Sequence, residues 1–300
     1  MEVCGGMLYF CGMKFRTELP LPQYPFAIGY SDRLMFLGSC FSEHVSKYFK
    51  ERRFSVCANP FGILFNPLSI ALALDLMTGK EQLSEHYYAQ YNDKWISFAH
   101  HGRFSHPDRE RFEQNIESSL RDAMFALQKS DYLFITLGTS FYYYHREKQM
   151  VVANCHKVPA AAFEKRRAGI EEIVSAFSPF FAWQKRSVPS MKVIFTVSPV
   201  RHLGDGFHEN QLSKSTLHLA IEEIVCQNEN AFYFPVYELF NDDLRDYRFY
   251  ASDLCHPAQP GIDYVQEFVS RTFFTEETRA QIAEIEKENK RMGHIEHLVF

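Results

Sequence analysis

The sequence has no Cys-x-x-Cys pair, no His-Glu-x-x-His, no Gly-x-Gly-x-x-Gly and no Gly-x-x-x-x-Gly-Lys-[Ser/Thr]. Without them, a zinc ribbon, zincin-type metal chemistry and the two common nucleotide cradles lack support. Nor does any stretch approach the roughly 18 uninterrupted apolar residues of a spanning helix. There is no internal repeat and no low-complexity tract. An excess of one charge sign is missing too: 32 Lys plus Arg against 37 Asp plus Glu leave a formal −5, which disfavours nucleic acid and anionic membrane as partners. The seven cysteines (Cys4, Cys11, Cys40, Cys57, Cys155, Cys226, Cys255) are odd in number and scattered, which fits a reducing compartment better than a disulfide scaffold. The opening segment carries Glu2 where a secretory leader has basic residues, so the expectation is a soluble cytoplasmic protein. Met13-Lys14-Phe15 has the form of a start, and residues 1–12 then read as an upstream extension of the gene.

What is present is a chain of 300 residues, 46% apolar and 23% charged, which suits one core-bearing domain. We divide it into an extension (1–19), an α/β domain (20–274) and a charged, helix-prone, solvated tail (275–300). The apolar runs Leu34–Leu37, Tyr132–Leu137, Met191–Val197 and Ala231–Phe234 read as buried strands. Helical spacing follows from Phe41 to Phe54, and Asn66-Pro67 can cap a second helix that Gly79 closes. Further helices are predicted from Pro107 to Lys129, about Pro159 to Phe177, about Gln211 to Cys226 and Gly261 to Phe273. Hairpins are predicted over Tyr87–Ala99 and Phe141–Ala153. Continuous apolar strands alternating with helices imply a parallel sheet covered on both faces, hence an α/β fold.

In such sheets the ligand crevice lies beyond the carboxyl ends of the strands. There the chain reads Gly38-Ser39-Cys40, Gly138-Thr139-Ser140 and Ser198-Pro199-Val200-Arg201-His202. The first turn offers a hydroxyl and a thiol where a helix begins, and helix-terminal N–H groups stabilise a thiolate or an oxyanion. Far along the chain, Asp253-Leu254-Cys255-His256-Pro257 places an acid three residues before a histidine. Such a pair can orient one imidazole nitrogen with a carboxylate and leave the other for a nucleophile. Turn and pair together make a hydrolytic triad. Arg201 and His202 are candidates for holding an anionic part of a substrate. His86, His100, His101 and His106 suggest a substrate-lining loop; we expect no metal and no cofactor.

The run Gly38-Ser39-Cys40-Phe41-Ser42-Glu43, with Asn59-Pro60-Phe61-Gly62 and Asn66-Pro67, resembles the signature of the GSCFA family, which is related to the SGNH or GDSL-like esterases. The resemblance spans roughly Pro20 to Phe273. It implies a flavodoxin-like three-layer α/β/α sandwich with the nucleophile after the first strand and the Asp-x-x-His pair near the end. In the Gly-Asp-Ser-Leu register, Ser39 falls on the Asp position and Cys40 on the nucleophile, so Cys40 is preferred over Ser39. Gly62 matches the glycine whose N–H lines the oxyanion hole. Where the related esterases have Gly-x-Asn, this chain has Gly138-Thr139-Ser140, so the Thr139 or Ser140 hydroxyl, or an amide such as Asn66 or Asn154, would have to serve. Losing one such donor typically costs about 3 kcal/mol of transition-state stabilisation. The implied activity is hydrolysis of an acyl ester through an acyl-enzyme, on O-acetylated carbohydrate or another small ester. The alternatives are a non-catalytic ligand-binding protein of the same fold and an O-acyltransferase. The expected partner is a small-molecule or carbohydrate ester; the sequence does not set the oligomeric state.

Overall fold

The apolar run Leu34–Leu37 becomes β1 (Arg33–Gly38), and every residue of it after Arg33 is buried in the computed structural model, which describes residues 16–296. Gly38 ends the strand and α1 (Cys40–Glu51) follows at once, leading to β2 (Ser55–Ala58) and α2 (Pro67–Thr78). A hairpin, β3 (Tyr88–Tyr91) and β4 (Lys94–Ser97), precedes α3 (Arg109–Lys129) and β5 (Tyr132–Leu137). Three antiparallel strands come next, β6 (Phe141–His145), β7 (Met150–Val152) and β8 (Phe163–Arg167), then α4 (Ile170–Ser187) and β9 (Lys192–Val197). The chain closes through α5 (Phe207–Gln227), β10 (Ala231–Tyr233), the single turn α6 (Val236–Glu238), α7 (Gln259–Phe273) and α8 (Glu276–Glu296).

Five strands form one parallel sheet in the order β10-β9-β5-β1-β2. The chain builds to one side of β1 with β2 and to the other with β5, so the order reverses between β1 and β5, where open α/β sheets bind ligands. Alternate side chains of the strands feed two cores. Met35, Leu37, Leu133, Ile135, Val193 and Phe195 pack under α2, α3, α4 and α5. Leu34, Phe36, Phe134 and Ile194 pack under α1 and α7. The result is a three-layer α/β/α sandwich.

Local signals explain most boundaries. The Asn66 side chain accepts the Ser69 N–H at 2.8 Å and donates to the Ser69 hydroxyl at 2.9 Å, Pro67 opens α2, and Gly79 closes it at φ 76°. Asn66→Ala is expected to cost roughly 1–2 kcal/mol, read as a lower urea midpoint with an unchanged slope. Asn92 and Asp93 both adopt positive φ (48° and 56°), the pattern of a two-residue turn whose twist matches a hairpin.

The helix expected from Pro159 is corrected. Ala160–Ala162 is a short 3-10 turn and Phe163–Arg167 is β8, paired antiparallel with β6; α4 starts only after Gly169. Alanine-rich sequence favours a helix locally, but β6 needs a partner on that side, and Phe163 is buried edge-on to Phe98 and His145. Helix α5 also begins earlier than expected, at Phe207, and the short strand β2 was not foreseen.

Before β1, Leu19, Leu21, Tyr24 and Phe26 pack on the second core, and the Ile28 N–H bonds Phe273 O at 2.8 Å. The start at Met13 and most of the expected extension lie outside the described residues. On α8, Thr278 and Ile282 are buried while Glu286 and Glu288 pair with Arg52 and Arg53, so the tail is docked on one side and solvated on the other. No described helix is long and apolar enough to cross a membrane.

Candidate active site

The turn after β1 is held in an unusual conformation by its neighbours. Gly38 has φ 139°, and a Cβ there would lie 2.2 Å from the Thr136 carbonyl oxygen, so only glycine fits. Its N–H donates to Asn59 Oδ1 at 2.9 Å, and its carbonyl accepts the Leu64 N–H at 3.0 Å. Ser39 caps α1 with extended backbone, but its side chain is buried and its Oγ has no hydrogen-bond partner among the described residues. Cys40 is the first helical residue and remains partly accessible. Its sulfur faces the N–H groups of Cys40 and Phe41, at the positive end of the helix. Burial nevertheless outweighs these groups and Lys214 and pushes the thiol above its ordinary value, so Cys40 needs a base to ionise.

The second element is the loop between residues 250 and 258. Leu254 takes a positive φ of 58°, and Asp253 Oδ1 accepts the N–H groups of Cys255 (3.0 Å) and His256 (2.9 Å). This local wrap turns Oδ2 onto His256 Nδ1 at 2.6 Å. The loop is clamped by Ala251 N–H to His256 O (2.7 Å) and by a bridge between Tyr250 and Pro257. The two N–H groups, with the imidazole, hold the Asp253 carboxyl down to about 2, so it is charged at neutral pH and fixes the ring.

His256 belongs to the same rim as Cys40. Burial first, and the nearness of the His256 ring among the later causes, hold His44 and His202 below the usual imidazole range. His44 lies one helical turn beyond Cys40. His202 stands at the next strand end: its Nε2 would be 3.4 Å from a Cβ on Gly138. No hydrogen bond joins the His256 ring to Cys40 among the described residues. Catalytic hydrogen bonds are often absent or long in unliganded sites and form around substrate.

The remaining candidates fall into two groups. His202 and Arg201 are at the crevice. His202 is pushed down to about 4, by burial first and then by Lys214 and His256, so it is neutral at pH 7. Arg201 is exposed, and its charge reaches Tyr237 and Tyr250. The other candidates are engaged elsewhere. The Gly62 N–H closes a turn on Asn59 O at 2.8 Å and is not free for an oxyanion in this structure; its φ of 79° and tight packing on His101 explain the glycine. The Thr139 and Ser140 hydroxyls bond Ser213 at 3.0 and 3.1 Å and tie the β5–β6 link to α5. Asn66 caps α2, and Asn154 accepts the His156 N–H at 2.7 Å. The histidine cluster divides likewise: His100 is buried, stacked on Phe61 and bonded to Ser97, whereas His106 accepts the Asp108 N–H.

Two residues escaped the sequence reading. Asn59 pins the turn through Gly38, and its place in the Asn-Pro-Phe-Gly run was the only signal. Lys214 is fully buried on α5, where Asn210, Ser213, Lys214 and Leu217 make one inward stripe. A lysine at core spacing was the sign available.

Fold and site define a flavodoxin-like three-layer α/β/α protein with a cysteine-bearing turn and an Asp-His pair at one rim. The chain belongs to the GSCFA family, which matches residues 33–268. Among solved structures it is similar to an acetyl xylan esterase (Est2A) from the rumen bacterium Butyrivibrio proteoclasticus, at 11% identity and a TM-score of 0.37. That likeness covers 81% of this chain and 64% of the other, so the chain spans less than two thirds of the esterase's length. No curated protein matches the sequence.

Proposed function

We propose that the protein is an acyl-ester hydrolase that works through a covalent acyl-enzyme on Cys40. The observation that carries this reading is the Asp253–His256 pair, 2.6 Å apart, on the rim that also bears the Cys40 helix start. In the reaction, His256 Nε2 removes the thiol proton as the sulfur attacks the ester carbonyl carbon, forming a C–S bond and placing the electron pair on oxygen. The N–H groups of Cys40 and Phe41, which have no acceptor within the first helical turn, hold that oxyanion. Collapse expels the alkoxide, which takes the proton back from His256. Water, deprotonated by the same ring, then attacks the thioester, releasing the acid and restoring the thiol. A small acyl ester fits this sequence of steps, and O-acetylated carbohydrate is the class that the family likeness offers.

Burial separates the two candidate nucleophiles. Ser39 is 1% exposed, whereas Cys40 is partly open. On a panel of chromogenic short-chain esters, Cys40→Ala is expected to abolish turnover beyond about 10³-fold, and Ser39→Ala to retain most of it. Loss confined to Ser39→Ala would overturn the assignment, and no turnover in wild type or either variant would leave a ligand-binding protein.

A further inference from the structure

An oxyanion formed at Cys40 has main-chain donors but no side-chain donor among the residues that the sequence pointed to. Asn66 and Asn154 are engaged elsewhere, and the Thr139 and Ser140 hydroxyls are held by Ser213. The structure brings an imidazole to Gly138, the glycine of that same block. β1, β5 and β9 end side by side, with Gly38 paired to Thr136 and Leu137 paired to Val197. The segment after Gly62 runs across these ends. The Leu64 N–H donates to Gly38 O at 3.0 Å, and Phe65 O accepts the N–H groups of Gly138 (2.8 Å) and Thr139 (3.1 Å). The His202 ring meets the Phe65 ring edge-on, centroids 5.7 Å apart, and its Nε2 lies 3.4 Å from the position that a Gly138 Cβ would take. Two successive residues, Leu64 and Phe65, therefore join the turn that leads into Cys40 to the wall that bears His202. That wall is anchored through its main chain, the His202 N–H donating to buried Asn210 Oδ1 at 2.9 Å. Neither ring nitrogen of half-buried His202 has a hydrogen-bond partner among the described residues, and neither is sealed from solvent.

We propose that His202 is the side-chain oxyanion donor of the Cys40 site, its Nε2–H replacing the amide that Gly138-Thr139-Ser140 lacks. The inference rests on the reading of Cys40 as nucleophile and adds the donor that this reading leaves open. Such a role calls for a neutral ring, which has one N–H to donate. Burial first, then Lys214, His256 and Lys165, hold His202 down to about 4, so the ring is uncharged at pH 7. A neutral imidazole of this kind polarises a carbonyl without surrendering its proton. As the sulfur adds to the carbonyl carbon, the C–S bond forms and the π pair moves to oxygen. The thiol proton goes to His256, and the His202 proton stays on its nitrogen, bonded to the new anion. The two histidines therefore divide the work. His256 is oriented by a carboxylate at 2.6 Å and moves a proton, whereas His202 has no partner on its ring and holds charge in place.

The test separates charge on the carbonyl oxygen from reactivity of the thiol. Trifluoroacetone adds to a thiol to give a tetrahedral hemithioketal that carries the oxygen anion, whereas iodoacetamide alkylates sulfur by displacement and builds no such anion. The adduct is read by ¹⁹F NMR, its signal assigned to Cys40 by loss in Cys40→Ala, and alkylation of Cys40 by peptide mass spectrometry. Wild type, His202→Leu and His202→Gln are compared, glutamine being the variant that keeps a side-chain N–H. In His202→Leu the dissociation constant for trifluoroacetone is expected to rise about 10²-fold, with Cys40 alkylation within about twofold of wild type. His202→Gln is expected to recover at least about tenfold of that loss. Equal trifluoroacetone affinity in wild type and His202→Leu overturns the proposal. So does a parallel loss of alkylation, which would make the ring a prop for the turn. No Cys40 adduct in wild type overturns the nucleophile reading and this proposal with it, so the two failures are distinct.

Discussion

His256→Ala is expected to lower kcat/KM for a chromogenic acetyl ester by about 10³-fold while leaving the unfolding free energy within about 0.5 kcal/mol of wild type. The size follows from what the ring does. The Cys40 thiol sits above its ordinary value because burial dominates, so little thiolate stands ready at neutral pH and a base must take the proton. The small stability effect follows from position: both side chains of the Asp253–His256 pair are about half exposed, and exposed ion pairs contribute little to folding. The loop keeps its shape through the Asp253 bonds to main-chain N–H groups, which survive the substitution. Steady-state kinetics and urea denaturation check the two halves. Wild-type turnover in the variant would remove His256 from the chemistry, while a collapsed urea midpoint would show that the ring is a structural prop.

Gly38→Ala is the substitution expected to damage the fold most at the site. A Cβ would come within 2.2 Å of Thr136 O and 2.9 Å of Thr136 C and N, all backbone atoms of a central strand. That oxygen also accepts the Ser39 N–H, so it has no freedom to move aside. The backbone at φ 139° adds strain of its own for any L side chain. We expect a loss of about 3 kcal/mol or more, with slower Cys40 alkylation because the helix start shifts with the turn. Gly169→Ala is the control: nothing lies within 4 Å of its Cβ position and its φ is ordinary, so its urea midpoint should hold. A native midpoint in Gly38→Ala would mean that the turn relaxes freely and does not preorganise the nucleophile.

The parts legible in the sequence were those written in local chemistry. Buried parallel strands show as apolar runs, the Asn66-Pro67 cap as a cap, and Asp253-x-x-His256 as a pair because three residues suffice for one wrap. The parts that were not legible depend on partners far away in the chain. Phe163–Arg167 follows alanines and reads as helix until β6 supplies an edge. Thr139 and Ser140 look like free donors until Ser213 arrives from α5. The Gly62 N–H looks available until the turn closes on Asn59 O. Lys214 looks like any helical lysine until the ends of β5 and β9 stand side by side and supply the carbonyls it donates to.

The two sides of the sheet are completed at different moments of synthesis. The side built on Met35, Leu37 and Leu133 has received α2, α3, α4 and α5 by the time α5 leaves the ribosome. The opposite side, with Leu34, Phe36 and Phe134, has α1 early but waits for Phe268, Val269 and Phe273 of α7 and for Ile282 of α8. A nascent chain therefore carries a half-roofed aromatic floor until α7 and α8 emerge. Contacts of such long sequence separation form slowly and leave sticky surface bare in the meantime. Translation arrest ahead of α7 should produce a species that clumps, even though its crevice turn and central strands have all been made.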